Sequence, residues 1–432
     1  MTTTDTTNRQ AGLTVETFER RESNVRMYCR DVPIVFDTAQ GTVLRGEDGR
    51  EYLDFFAGAG ALNYGHNDPR MRDAIIGHLR GRAVVHGLDL FTRVKRELLE
   101  TIEQQLLGPR DLDYRVQFTG PTGADANEAA LKLARKATGR SRVVAFNGGY
   151  HGMTAGAYAV SGGRSAGKNF GSLTHDVTFV PFEDGPHGEF DSLGFLRRLV
   201  EDRRSGTDVP AAVIVEAVQI QAGVFGASAK WLRDLRDWTR EHGIVLILDE
   251  VQAGCGRTGQ FFSFERSGIV PDIVTTAKSI SGFGLPMALN LIAPALDVWE
   301  PGEHTGTFRG NQLSFVTARI ALAYWTDPAF LELVSRNCAT MNDAVTGAHG
   351  REGFIGLPGV ESARVRGLIA GVDFGLGNAD AAHAAQRRAL EAGVLVERCG
   401  PNGEVIKLMP PINTPTERLV EGLQIIGAAI NR

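Results

Sequence analysis

Gly243-Ile-Val-Leu-Ile-Leu-Asp249-Glu-Val-Gln252 contains an unbroken apolar run that ends in a carboxylate. A strand with one face in water alternates apolar and polar residues. A run without alternation reads instead as a strand covered on both faces, as in parallel sheets flanked by helices. Ligands of open α/β sheets collect beyond the carboxyl ends of such strands, so Asp249 belongs to a site rim. Outward from this run, strand patterns at Arg142 to Phe146, Val177 to Pro181 and Ala211 to Val218 precede it and Asp272 to Ala277 follows. They alternate with helix patterns from about residue 70 to 325, which implies an α/β fold whose mainly parallel sheet is sandwiched by helices. Beyond Asp327 the pattern becomes a helix, then strands near Val365 to Phe374 and Val394 to Leu408, then a closing helix from about Thr416. That reads as a smaller α+β domain. The expected division is an N-terminal segment over 1–69 (a polar tail, a hairpin at Val43 to Leu53, part of the small domain), a large domain over 70–326 and a C-terminal small domain over 327–432.

Lys278, one of seven lysines, ends the pattern Asp272-Ile-Val-Thr-Thr-Ala277 and opens the glycine-rich Ser279-Ile-Ser-Gly-Phe-Gly-Leu-Pro286. A lysine at a rigid strand end can have its pKa lowered by burial or by a neighbouring cation, which frees its lone pair for Schiff-base chemistry. Taken singly it is a solvated lysine, but Asp249 shares its rim. A buried carboxylate needs a counter-charge, since isolated charge in a low-dielectric interior costs several kcal/mol. A third segment, Phe118-Thr-Gly-Pro-Thr122-Gly-Ala-Asp-Ala-Asn-Glu128, follows a strand pattern and opens the helix Ala126 to Thr138. The amides of Thr122, Gly123 and Ala124 then lie at a helix N-terminus, with the Thr122 hydroxyl as a further donor to phosphate oxygens. An amine for an aldehyde, a carboxylate for a pyridinium and a cradle for a phosphate are the groups that pyridoxal 5'-phosphate (PLP) requires.

Composition narrows the class. The net charge of −5 and 22% charged residues point neither to nucleic acid nor to disorder. Cys29, Cys255, Cys338 and Cys399 show no C-x-x-C spacing, so neither a disulfide framework nor a zinc site is expected and a cytoplasmic, reducing location is. No apolar run of membrane-spanning length occurs, and the polar opening Met1 to Gln10 lacks the apolar centre of a signal peptide. Histidines 66, 86, 151 and 304 have no metal-ligand spacing and read as loop or pocket residues, with no metal expected.

Three segments carry a family resemblance: Asp249-Glu-Val-Gln-Ala-Gly-Cys-Gly-Arg-Thr-Gly259, Pro271 to Lys278, and Gly302-Glu-His-Thr-Gly-Thr-Phe-Arg-Gly-Asn311. They are similar to the signature segments of class III (subgroup II) aminotransferases of fold type I, over nearly the whole chain. The chain most resembles the diaminobutyrate:2-oxoglutarate branch, through Asp54 to His66, His86 to Asp89, Phe118 to Gly123 and Leu408-Met-Pro-Pro411. The resemblance implies that Lys278 carries the cofactor and later moves the substrate proton, that Asp249 pairs with the pyridinium and that Val251 presses on the ring. It further implies Gln252 and Glu216 near the ring hydroxyl, Tyr150 stacked on the opposite face and Ala59 at the substrate. Thr307 is expected to reach the phosphate of a neighbouring subunit, which makes the protein a homodimer with shared sites, or a higher oligomer built from it. Outside these motifs, Tyr150 reads equally as a core tyrosine and Thr307 as a turn residue.

One departure stands out. Where the family reads Glu-x-x-Gln-Gly-Glu, this chain has Glu216-Ala-Val-Gln-Ile-Gln221. In ornithine-type relatives that second glutamate pairs with a basic residue before the Pro-Pro turn, here Lys407. With Gln221 opposite, Lys407 is expected to lack an anionic partner and to be free for a substrate carboxylate. Two activities follow. One moves the terminal amine of a diamino acid to 2-oxoglutarate. The other acts at Cα of an arginine- or ornithine-related 2-oxo acid. A non-catalytic PLP-binding regulator would need a DNA-binding helix pair that the first forty residues do not supply. Gly58-Ala-Gly-Ala-Leu-Asn63 lacks the last glycine of a dinucleotide fingerprint. The expected partners are an amino-acid donor and a 2-oxo acid acceptor, without nucleic acid or membrane.

Overall fold

Val245–Asp249 is the middle strand of a seven-stranded sheet in the computed structural model, which describes residues 15–162, 176–347 and 353–431. The expected tail at Met1 to Gln10 lies outside the described residues. The sheet runs in the order Arg115–Phe118, Leu289–Ile292, Ile273–Thr276, Val245–Asp249, Ala212–Val215, Val143–Phe146, Val177–Val180. Successive residues of the middle strand serve two cores. Leu246 and Leu248 join Val144, Phe146, Val213 and Trp238 on one face, while Val245 and Ile247 join Val143, Ala145, Ile214 and Ile273 on the other. Both faces being covered, alternation has no physical cause, and the sequence shows none.

The sheet is parallel except for Leu289–Ile292, which runs antiparallel between Ile273–Thr276 and Arg115–Phe118. Sequence reading passed over this strand. It is four residues long, and its polar Asn290 is buried because Nδ2 donates to Ala126 O at 3.0 Å. The helix Gly123–Thr138 packs on the sheet through small residues, Ala126, Ala130 and Ala134, so its axis approaches closely. Thr122 and Asp125 cap its start reciprocally and Gly139, at φ 68°, ends it.

A second core joins both ends of the chain. The antiparallel sheet Ser362–Arg366, Ile369–Asp373, Val405–Leu408, Glu397–Cys399 shares it with the helices Pro328–Thr346, Ala379–Glu391 and Thr416–Ile430. The N-terminal strand Glu51–Asp54 enters it by pairing parallel with Val394–Leu395. Close packing there is visible at Gly422, where a Cβ would stand 2.1 Å from the Phe55 ring. The strand expected over Val394 to Leu408 proves to be three pieces, because Gly400 and Gly403, at φ 89° and 83°, turn the chain back on itself. Among the described residues no helix is long and apolar enough to cross a membrane.

Leu248 is fully buried in the middle strand. Leu248→Ala should lower unfolding stability by about 3 kcal/mol through lost burial and an unfilled cavity. Chemical denaturation reads this directly, and a loss below about 1 kcal/mol would mean that the sheet centre repacks around the gap.

Candidate active site

Three neighbouring parallel strands end directly before Glu216, in Asp249 and two residues before Lys278, so strand order alone brings these residues to one rim. Asp249 is 2% exposed. Its Oδ2 accepts from His151 Nδ1 at 2.7 Å and Asn127 Nδ2 at 2.8 Å, and its Oδ1 accepts from the Val251 amide at 2.9 Å. Asn127 Nδ2 also donates to His151 O at 2.8 Å, which fixes the two donors to each other. Burial pushes the His151 pKa down, but the hydrogen bond and charge of Asp249, with Glu216 behind, outweigh it and the net shift is upward. Sequence reading placed His151 in the pocket without a task and missed Asn127. The signal was present: both lie inside the motifs that hold Tyr150 and Thr122.

Glu216 is 4% exposed, and its Oε2 accepts from the Tyr150 amide at 2.9 Å. Its pKa is raised to about 7, chiefly by burial, with His151 opposing and Asp249 adding to the rise. Tyr150 keeps its ring partly in the open, and burial, then Glu216, raises its phenol pKa.

Lys278 has a left-handed backbone, φ 53°, a conformation that costs a residue with a Cβ about 1 kcal/mol and persists only where its surroundings enforce it. Here Ser279 enforces it: its Oγ donates to Gly60 O at 2.7 Å and accepts from the Asn63 amide at 2.9 Å. Lys278 Nζ takes no hydrogen bond or ion pair among the described residues. Burial, then the Lys407 cation, lowers its pKa to about 8, against the pull of Asp249, Glu397 and Glu216. Burial and a neighbouring cation are the two causes that the strand-end reading invoked for such a shift.

The phosphate cradle differs from expectation. Thr122 Oγ1 donates to Asp125 Oδ2 at 2.8 Å and the Thr122 amide donates to the same oxygen at 3.1 Å, so neither is a free donor. The capping box, a local motif, claims them both. The amides of Gly123 and Ala124 remain without partners among the described residues, at the positive end of a sixteen-residue helix. Gly123 faces Val251, and a Cβ there would stand 2.6 Å from Val251 Cγ1, so only glycine lets the amide edge approach. Free helix amides, an unpartnered buried Asn127 Oδ1, an anchored carboxylate and an unpartnered amine together fit PLP.

The loop opposite contains a left-handed turn at Ala57, Gly58 and Ala59, with φ 47°, 56° and 55°. Asp54 holds its entry, with Oδ1 accepting from the Phe56 and Ala57 amides at 2.8 and 2.7 Å. Gln252 Nε2 donates to Ala59 O at 3.0 Å, so two expected site residues meet. Thr307 is not brought to this group; it lies exposed beside Phe308, itself 68% exposed.

Lys407 requires a correction. It is fully buried, and Nζ lies 2.8 Å from Glu397 Oε2. The two are cross-strand partners in an antiparallel pair, so pleating puts both side chains on one face. Gln221 meets this region through its backbone instead, its carbonyl accepting from the Gly400 amide at 3.0 Å. The cation therefore has a counter-ion, supplied by a strand that the sequence reading had merged with its neighbour.

Comparisons to known proteins place the chain and its fold. A family model described as "Aminotransferase class-III" matches residues 27–430. The diaminobutyrate–2-oxoglutarate transaminase of Streptomyces coelicolor is 48% identical over 417 residues, covering 96% of this chain and 97% of that protein. The protein of the same name from Halomonas elongata is 45% identical over 417 residues, covering 96% and 98%. The ornithine aminotransferase of Toxoplasma gondii, crystallised in the presence of oxidized glutathione with partial occupancy of PLP at its active site, superposes with a TM-score of 0.81 at 25% identity, covering 100% of this chain and 98% of that one.

The lowered Lys278 pKa has a direct signature in the cofactor-free enzyme. Between pH 8 and 10.5 its amine is neutral while an ordinary lysine is still protonated. Reductive alkylation followed by peptide mass spectrometry should show Lys278 half-modified near pH 8, and a midpoint near that of an ordinary lysine would contradict the electrostatics described.

Proposed function

The chain belongs to the class-III aminotransferases, PLP-dependent enzymes that pass an amino group from an amino-acid donor to a 2-oxo acid acceptor, and we propose that here the terminal amine of a short diamino acid passes to 2-oxoglutarate. What carries this reading is similarity along the whole chain, 45–48% over about 96% of it, to proteins named diaminobutyrate–2-oxoglutarate transaminases. The competing reading, transfer at Cα of an arginine- or ornithine-related 2-oxo acid, rested on an unpaired Lys407. The ion pair with Glu397 removes that support.

Lys278 and Asp249 are the residues we propose as catalytic. When bound, PLP supplies an electron-withdrawing ring that takes up the electron pair left on the substrate carbon. Asp249, oriented by its three donors, would pair with the pyridine nitrogen of the ring. Lys278, its pKa lowered to about 8, removes the proton from the donor carbon at Nζ and returns it on the other side of the transfer. Gly123 and Ala124 would hold the phosphate through their free amides, and Thr122 supports them by capping the helix. Tyr150 and Val251 would bracket the ring, Glu216 and Gln252 would stand by its hydroxyl, and Ala59, Gln221 and Lys407 would line the substrate space.

A homodimer is part of this reading. Val84, Val85, Leu88, Leu90 and Phe91 are exposed, and their segment meets the exposed Phe308, next to Thr307, through the His86 ring at a centroid distance of 5.6 Å; exposed apolar residues in this number mark an association surface. Thr307 would then serve the phosphate of the partner's site. We take the units as 1–69, 70–326 and 327–432, with Met71 and Ala321 of the large unit joining the second core, and the unpaired cysteines suit a cytoplasmic location.

Lys278→Ala should abolish both the visible absorbance of bound PLP and turnover; either one surviving at wild-type level refutes the assignment. A donor panel of 2,4-diaminobutyrate, ornithine, glutamate and arginine, with the carbonyl located by mass spectrometry, tests the substrate, and the expected carbonyl is terminal. Phe91→Asp should convert the dimer to a monomer in sedimentation and lower activity with it; a monomeric wild-type enzyme sinks the shared-site reading.

A further inference from the structure

The proposed reaction makes opposite demands on one place. A donor reacting at its terminal amine brings a CH₂ carbon with no carboxylate to Lys278, whereas the 2-oxo acid brings a carbon that carries one. A free cation beside Lys278 would favour the second chemistry in both halves of the cycle. Lys407 is such a cation, close enough to be, after burial, the main cause of the lowered Lys278 pKa.

The Lys407–Glu397 pair has an unusual character. Its partners are 0% and 7% exposed and 2.8 Å apart, yet neither Lys407 Nζ nor Glu397 Oε2 is aligned for a hydrogen bond, and neither atom finds one elsewhere among the described residues. Coulomb attraction alone holds them. Buried ion pairs without aligned hydrogen bonds recover little of their desolvation cost, so an incoming carboxylate that aligns with the lysine can compete. Glu397 also lies on the wall of a cavity of about 320 Å³, together with Tyr28, Asp54, Gly58 and Leu62. The other acids of that wall are committed: Asp54 to two backbone amides and to His66 at 2.9 Å, Asp31 to Arg398 at 3.3 Å. Glu397 alone among the three takes no hydrogen bond from the described residues.

We propose that Glu397 is the exchangeable counter-ion of Lys407 and a specificity-determining residue: it covers the cation while a terminal amine reacts and yields it to the carboxylate of the 2-oxo acid. Position 221, a glutamine, supplies no charge for this role. The inference rests on the reading that Lys407 faces the substrate space.

The test uses holoenzyme and two readouts. Glutarate, a dicarboxylate with neither amine nor keto group, is titrated calorimetrically into wild type, Glu397→Gln and the double variant Glu397→Gln/Lys407→Met. Glu397→Gln should bind glutarate about tenfold more tightly, the worth of one charge-assisted contact, and the added Lys407→Met should erase the gain. In single half-reactions the ratio of rates for 2,4-diaminobutyrate over glutamate should fall about tenfold in Glu397→Gln. Unchanged glutarate affinity with both half-reactions slowed equally overturns the proposal, since a merely structural pair would behave so. If Glu397→Gln does not fold, Glu397→Asp carries the same test, with a smaller gain expected and no gain overturning it. A wild type that leaves no terminal carbonyl on any diamino donor would sink the donor assignment, while the glutarate titration still decides the role of Glu397.

Discussion

Asp249 is a carboxylate that water barely reaches, and the rim of the sheet is arranged so that its oxygens find donors. A strand end, the Asn127 position of a helix and the His151 position of a loop each deliver a donor to it. None of the three elements could shift without exposing or orphaning a buried charge, an error worth several kcal/mol. The carboxylate thus locks strand, helix and loop into one register. The helix so locked is the one whose first amides are free, and the strand beside it ends two residues before Lys278.

Charge then passes outward from that point. Burial and Lys407 depress the Lys278 amine, while Asp249, Glu397 and Glu216 pull the other way, leaving an amine near the pH at which proton transfer works in both directions. The N- and C-terminal parts of the chain take part in this balance. Lys407 and Glu397 belong to a sheet in the second core, and the left-handed turn at Ala57 to Ala59 reaches Gln252 from the N-terminal side. The proposed site therefore lies where residues of the two cores meet.

Much of this was legible in the chain. The covered strand at Val245–Asp249 shows itself because both faces are apolar, and Lys278 because a strand pattern stops at it. The antiparallel strand Leu289–Ile292 was not legible, since its one polar residue gives its amide NH₂ to a helix carbonyl more than 160 residues away in sequence. Thr122 was read as a phosphate donor because hydroxyls at helix starts serve either ligand or cap, and only coordinates say which. Asp125, three residues on, takes it.

By itself the sequence determined the parallel α/β architecture, the strand-end lysine and carboxylate and the glycine at the helix start, because each depends on local periodicity or on a backbone requirement written in one segment. The tertiary structure alone decided which groups are partners. His151 and Asn127 reach Asp249 across 98 and 122 residues, and Glu397 meets Lys407 only because two glycines fold the strands back in register. Charge pairing depends on distances between chain segments, and no local pattern carries them.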